Sequence, residues 1–257
     1  MAYENITSER DGSYITITMN RPERRNALSM AHMKELIAAF REASESDALG
    51  VILAGNGPVY SAGHYFADMA GSNLPEMRRL LWTCTELMTL MQQIPQVVIA
   101  RVHGLATAAG CQLVASADLA VCSDSAGFAV PGGKGGLYCH TPSVALSRNI
   151  GRKRALEMSL TGDTIDAATA LDWGLVNRVV ALEDLEAETL DLLKRATRGS
   201  AMSKALAKSS FYAQVDMDQP KAYAYAVEVM ASASQTADGQ EGMNSFLEKR
   251  PPNWKNH

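Results

Sequence analysis

A chain of 257 residues, 47% of them hydrophobic and 20% charged, has enough apolar material for one substantial core and a smaller appended region. A net charge of −4 leaves a mildly acidic, mixed surface that gives nucleic acid no electrostatic footing, although local basic clusters can still hold an anionic ligand. Cys84, Cys111, Cys122 and Cys139 form no CxxC pair and no His/Cys spacing of a zinc site, so no metal centre is expected. In chain order, residues 14–19 alternate and are β-rich, which predicts a strand, ended by Asn20-Arg21-Pro22. Ser29 has the chemistry of a helix N-cap, with Met30, Met33, Ile37 and Phe40 following at helical spacing. Residues 50–55 read as a short apolar strand running into a Gly-Asn-Gly-Pro turn. Residues 75–92 carry Met77, Leu80, Leu81, Cys84, Leu87, Met88 and Met91 on one side, a methionine-rich stripe that belongs to a core. Residues 97–100 predict a buried strand, followed by a small-residue turn into a helix near Ala109 and a further strand at 118–122.

Strands alternating with helices indicate an α/β fold. From Glu183 to Leu247 the pattern turns almost wholly helical, punctuated by Gly199, Pro220 and Gly239. Residues 1–195 are therefore expected to form the core, and 196–257 a helical C-terminal region packed on it or on a neighbouring subunit.

Familiar ligand motifs fail. Residues 132–136, Gly-Gly-Lys-Gly-Gly, lack the earlier glycine of a phosphate loop, and Gly135 stands where Ser or Thr is required. A GxGxxG reading breaks at Tyr138, and no GxSxG elbow exists.

Two other segments carry the chemistry. Residues 57–64 end in Ser61-Ala62-Gly63-His64, where small residues let a backbone approach a ligand closely. Residues 102–112 run from a strand through Ala108-Ala109-Gly110 into a helix, whose first N–H groups are free and partially positive. Two such N–H groups converging on one point make an oxyanion hole, and each donor is worth roughly 3 kcal/mol where a carbonyl gathers negative charge.

Taken in order, the chain resembles the crotonase superfamily, the enoyl-CoA hydratase/isomerase family, over nearly its full length. The matching residues are Asn20-Arg21-Pro22, Asn26-Ala27-Leu28, Tyr60-Ser61-Ala62-Gly63, Val102-His103-Gly104, Ala109-Gly110-Cys111, Ala117-Asp118-Leu119, Leu160-Thr161-Gly162-Asp163, Ala170, Gly174-Leu175-Val176 and the tail Phe246-Leu247-Glu248-Lys249-Arg250. The resemblance implies a spiral of ββα turns with a C-terminal α-helical trimerisation region, and self-association as a homotrimer or a dimer of trimers. It implies oxyanion donors at the His64 and Ala109 amides, with Gly110 beside them, and CoA phosphate contacts from the arginine group that includes Arg24 and Arg25. It places Ala27, Ala62 and Phe66 in the adenine and pantetheine region, and Tyr65 where many members have aspartate, as a substrate-binding residue that alters the pocket wall. Phe246 and Lys249 match tail positions that reach CoA bound in a neighbouring subunit. The CoA thioester is the substrate, and no separate cofactor is implied.

The chain departs from the family where a hydratase has two glutamates. One would directly follow Gly110-Cys111, where Gln112 stands; an amide orients water but takes no proton near neutrality. The other would follow Pro131, where Gly132 stands. Eight residues on, some relatives place an aspartate; this chain has His140, either an acid/base or a hydrogen-bonded part of the pocket wall. The absent glutamate side chain leaves room at Gly132 for such a group to reach substrate. His64 is expected to serve through its amide, its ring pointing to solvent, CoA or pocket; His103, Cys111 and Cys139 read as structural. The leading expectation is an acyl-CoA enzyme working through a stabilised thioester enolate, with weak hydration; the alternative is a non-catalytic acyl-CoA binder. The N-terminus has no apolar signal core and no stretch suits a membrane span, so a cytoplasmic setting without membrane association is expected.

Overall fold

Strand β2 (Tyr14–Met19) buries Ile15, Ile17 and Met19 on one face, as its alternation requires. It is the second strand of a six-stranded sheet in the computed structural model, which describes residues 3–255. Antiparallel to it runs β1 (Ile6–Asp11), joined through the tight turn at Gly12. The remaining strands, β3 (Gly50–Gly55), β5 (Val97–Val102), β7 (Leu119–Ser123) and β10 (Arg178–Val180), add in parallel, giving the order β1-β2-β3-β5-β7-β10. A smaller sheet holds β4 (Val59–Ser61), β6 (Leu105–Thr107), β8 (Gly127–Ala129) and β9 (Ile165–Asp166).

The connectivity is a repeated unit. β3 and β4 lead into α2 (Leu74–Gln93), β5 and β6 into α3 (Ala109–Ser116), and β7 and β8 into α4 (His140–Asn149). Each unit puts one strand in each sheet and then a helix, which is the expected ββα spiral. α1 (Met30–Ser44) follows β2, capped by the Ser29 hydroxyl, which accepts the His32 amide at 3.2 Å. Its Met33, Leu36 and Phe40 enter the core beside Cys84, Leu87 and Met91 of α2, so the methionine stripe is core, as its spacing indicates. α5 (Arg152–Thr161) and α6 (Ala167–Trp173) close the spiral.

The C-terminal region begins with α7 (Leu185–Thr197), whose Leu185 and Leu193 pack on Ile52, Ile99 and Val121 of the large sheet. The expected boundary at 195/196 falls in the last turn of this helix. Beyond Gly199 come α8 (Ala201–Gln214), α9 (Gln219–Ser234) and α10 (Ala237–Leu247). α8 is tied to the core by a buried ion pair, Lys208 Nζ to Asp118 at 2.7 Å; the ammonium also donates to the Met91 and Gln96 carbonyls, and Tyr212 donates to the same carboxylate. α8 and α9 have no fully buried residue, and the groove between them, about 770 Å³, is lined by Phe211, Val215, Met217, Tyr223 and Met230.

Candidate active site

Asn26 organises the first wall. Its buried side chain accepts the Arg21 amide at 2.9 Å and donates to the carbonyls of Asn56, Val59 and Tyr60. Arg25 and Asn26 both take left-handed backbone conformations, and the Ser61 hydroxyl closes back on the Asn26 carbonyl. Residues 61–65 are thereby laid beside residues 25–28: Leu28 N–H donates to the Gly63 carbonyl at 2.7 Å, and Tyr65 N–H to the Leu28 carbonyl at 3.1 Å. In this parallel bridge His64 is the residue whose own N–H faces away from Leu28.

The second wall comes from the start of α3. Ala108 N–H is held by the Ala129 carbonyl at 2.8 Å, and Ala108 sits at φ 50, an unusual conformation for alanine. That turn exposes the Ala109 amide at the helix start. Gly63, at φ 83, lies against it: a Cβ there would stand 3.1 Å from the Ala109 nitrogen. One residue on, Gly110 is pressed against the Ser61 carbonyl and lies where a Cβ would come 2.7 Å from the Ser61 side chain. Among the described residues, neither the His64 nor the Ala109 amide donates to a protein acceptor. Two free donors thus sit on two touching turns, and a carbonyl oxygen accepting from both would be stabilised as it gains charge.

Side chains around these amides are polar but uncharged. Both ring nitrogens of His64 are closed off from solvent without a hydrogen-bond partner, and burial lowers its pKa, opposed in part by the nearby Leu28 carbonyl. Gln112, one turn into α3, is buried with its Oε1 also unpartnered. Tyr65 is half-buried with the Arg21 guanidinium 5.5 Å above its ring. Arg24, Arg25, Ala62 and Phe66 are exposed, Ala27 is buried, and neither Arg24 nor Arg25 forms an ion pair among the described residues. Phe246 and Lys249 are exposed at the end of α10. His103 Nε2 meets the Gly57 carbonyl at 2.8 Å, a structural role. Burial pushes the Cys111 thiol up to about 12 and raises that of Cys139.

The expected room at Gly132 is not there. Pro131 and Gly132 open a short 3-10 turn, and the chain folds back so that Leu137 N–H donates to the Gly132 carbonyl at 3.0 Å. The Leu137 carbonyl then fills the place of a Cβ at position 132, with Cys139 Sγ only 2.7 Å from it. His140 opens α4 with its ring exposed and edge-on to Tyr138, centroids 4.9 Å apart. It is thus neither buried nor, among the described residues, hydrogen-bonded through its ring. Two residues escaped the sequence reading. Asn26 was legible only as part of a motif, and His32, buried in α1 with Nδ1 on the Ala27 carbonyl at 3.1 Å, gave no periodic signal.

A family model described as enoyl-CoA hydratase/isomerase matches residues 9–257. The chain belongs to the enoyl-CoA hydratase/isomerase family. The mouse enoyl-CoA hydratase domain-containing protein 3, mitochondrial, is 44% identical over 250 residues, 96% of this chain and 83% of that protein. A crystal structure of an enoyl-CoA hydratase from Mycobacterium smegmatis superposes with a TM-score of 0.95 at 42% identity, covering 98% of this chain and 99% of that one. The human enoyl-CoA hydratase domain-containing protein 3 gives 0.94 at 38% identity, over 98% and 100% of the two chains. The α/β fold with its C-terminal helices is therefore that of this family's solved members. The cytoplasmic expectation is corrected by the same findings: the mouse and human relatives are named as mitochondrial proteins.

Proposed function

We propose that this family member binds an acyl-CoA thioester and stabilises its enolate between the His64 and Ala109 amides, as an enzyme whose reaction is not ordinary hydration. The observation that carries the reading is the pair of unpaired amides on two touching turns, one of them held at an unusual alanine conformation. Arg24 and Arg25 face the CoA phosphates. Ala27, Ala62 and Phe66 line the adenine and pantetheine path, Tyr65 shapes the pocket wall, and Gly110, Gln112, Pro131 and Gly132 line the acyl end. His140 serves as acid/base at the carbon beside the thioester. The reading requires no resident cofactor or metal.

Residues 196–257 act as the trimerisation region, covering the apolar groove between α8 and α9, and Phe246 and Lys249 reach CoA bound by a neighbouring subunit. Sedimentation at micromolar concentration is expected to show a trimer or a dimer of trimers, and a stable monomer would overturn that part.

The decisive experiment incubates the protein with a panel of CoA thioesters and reads the products by chromatography and mass spectrometry. Isomerisation, hydrolysis or cleavage of any member supports the reading, and hydration at ordinary rates contradicts it. A second reading, a non-catalytic acyl-CoA binder, is favoured by one observation: neither Gln112 nor Gly132 offers a carboxylate. Saturable binding across the panel without turnover would select it.

A further inference from the structure

Side chains of β5 alternate between two faces. Val98, Ala100 and Val102 enter the main core, while Ile99 joins Ile52 and Val121 beneath α7 on the other face of the large sheet. The next residue on that second face is Arg101. The middle of a parallel sheet is normally apolar on both sides, so packing gives no reason for a guanidinium here. The Arg101 side chain is only 21% exposed. Its one ion-pair contact among the described residues is Glu186 at 3.8 Å, beyond hydrogen-bond length. Among those residues its N–H groups, all of them donors, reach no acceptor at bonding distance.

Arg101 borders a pocket of about 260 Å³. Thr16, Thr18 and Ile52 of β2 and β3 form its floor, Glu9 and Asp11 of β1 its far rim, and Leu190 of α7 one wall. Glu9 lies opposite Thr16, and Thr16 opposite Ile52, in adjacent strands. Three strand spacings separate β5 from β1, about 14 Å in all, and side chains reaching inward from both ends leave a gap of small-molecule size. The Tyr14 hydroxyl is bonded to Thr197, whereas those of Thr16 and Thr18 have no partner among the described residues.

The open charges define the ligand. Arg10 is already held by Asp47 at 2.7 Å and by the Gly12 carbonyl at 2.9 Å. Glu9 and Asp11 form no ion pair among the described residues, and Glu186 has only its loose contact with Arg101. A bare anion would meet three carboxylates, and a bare cation would meet the guanidinium. A molecule carrying both signs satisfies both ends: its carboxylate takes the Arg101 fork and its ammonium the acids of β1. A short hydrocarbon spacer suits the apolar surface of Ile52 and Leu190 between them.

We propose that this pocket binds a small zwitterion, an ammonium and a carboxylate joined by a few carbons, with Arg101 as its anchor. None of the lining residues belongs to the turns that carry the His64 and Ala109 amides, so this site and the acyl-CoA reading stand or fall separately.

The probes are glycine, β-alanine and 4-aminobutanoate, which lengthen the spacer stepwise, with acetate and propylammonium as half-ligands. Calorimetry on the full chain is expected to give at least one amino acid a Kd at or below about 1 mM, and each half-ligand at least about tenfold weaker binding. Arg101→Met keeps an unbranched stem and is expected to weaken the amino acid at least about tenfold, as is the double variant Glu9→Gln, Asp11→Asn. Thermal unfolding and unaltered acyl-CoA binding verify that the variants are folded. Should Arg101→Met not fold, Arg101→Lys keeps the charge without the fork and is expected to weaken binding several-fold. A Kd above about 1 mM for every amino acid overturns the proposal. So does acetate binding as tightly as the amino acids, which would make the pocket a plain anion site. Wild-type affinity in the folded arginine variant overturns it as well.

Discussion

Gly63 packs against the Ala109 amide: a Cβ at position 63 would lie 3.1 Å from that nitrogen and 2.8 Å from the Ala108 methyl. The same glycine stands at φ 83 and its carbonyl receives the Leu28 amide. One residue therefore joins the loop at 25–28 to the start of α3. Both proposed donors, His64 next in sequence and Ala109 next in space, owe their placement to it.

Gly63→Ala tests that placement. A side chain at positive φ costs roughly 1–2 kcal/mol, and here it also meets backbone that cannot retreat. The variant is expected to lose at least about tenfold in acyl-CoA affinity, through displaced amides more than through global unfolding. Calorimetry beside thermal unfolding reads both. A variant that binds as the wild type does would detach Gly63 from the site.

The glutamate positions yield a second test. General acid–base groups each contribute about 10² to 10⁴-fold, so crotonyl-CoA hydration is expected to be far below that of a hydratase with both carboxylates. Gln112→Glu changes no chain length and is expected to fold. Gly132→Glu must push a Cβ into the Leu137 carbonyl and Cys139 Sγ, an overpacking that costs about 1–3 kcal/mol. The double variant is expected to unfold at lower temperature and to recover little hydration. Full recovery in a steady-state assay would show that the 132–139 turn re-forms easily around a side chain.

His32 makes stability depend on pH. Burial, reinforced by the nearby Arg21 charge, lowers its pKa to about 4 from an ordinary 6.5. Between those values the unfolded chain takes up a proton that the folded protein refuses, so stability falls as pH falls through the window from about 6.5 to about 4. The slope is about 1.4 kcal/mol per pH unit, on the order of 3 kcal/mol in all. The buried His64 ring acts in the same direction. His32→Asn keeps a donor for the Ala27 carbonyl and removes the titration. Urea unfolding at fixed protein concentration should show a shallower acid slope in the variant; an unchanged slope would place the titration elsewhere.

Periodicity and capping made much of the fold legible before any coordinates. β2 and β5 announce themselves by alternating or continuous apolar residues, and α1 by Ser29 ahead of a helical stripe. β1 did not, since Ile-Thr-Ser-Glu-Arg-Asp is an edge strand with one buried residue and a polar face on both sides. β4, β6 and β8 have three residues each, too few for any period to show. α4 and α5 have Cys139 and Gly151 at their N-caps, which make no side-chain cap, so the usual helix-start signal is missing. At the site, the two glycine- and alanine-rich turns were readable because close backbone approach demands small residues. What filled the space beside Gly132 was not. A missing side chain leaves a cavity or admits neighbouring backbone, and only the fold-back of Leu137 decides which.

His140 bears the most demanding prediction. Its ring is exposed at the first residue of α4 and leans edge-on against Tyr138, whose hydroxyl accepts from Ser143 at 3.2 Å. Ser143 in turn meets Ser159 of α5 at 3.1 Å, so a chain of side chains fixes Tyr138 and, through the ring contact, the imidazole. An exposed ring resting on an anchored tyrosine is presented to solvent and to any ligand that lies along this face. His140→Ala is therefore expected to abolish the turnover that the thioester panel reveals while acyl-CoA binding stays within a few-fold of the wild type. His140→Gln, which keeps the polarity without the titration, should be as inactive. Tyr138→Phe keeps the ring contact and loses only the hydroxyl bond, so it should retain much of the rate. Each is read as kcat against KM with one common substrate. If His140→Ala keeps full kcat, the proton is moved by another group, and His64 and Tyr65 become the next side chains to replace.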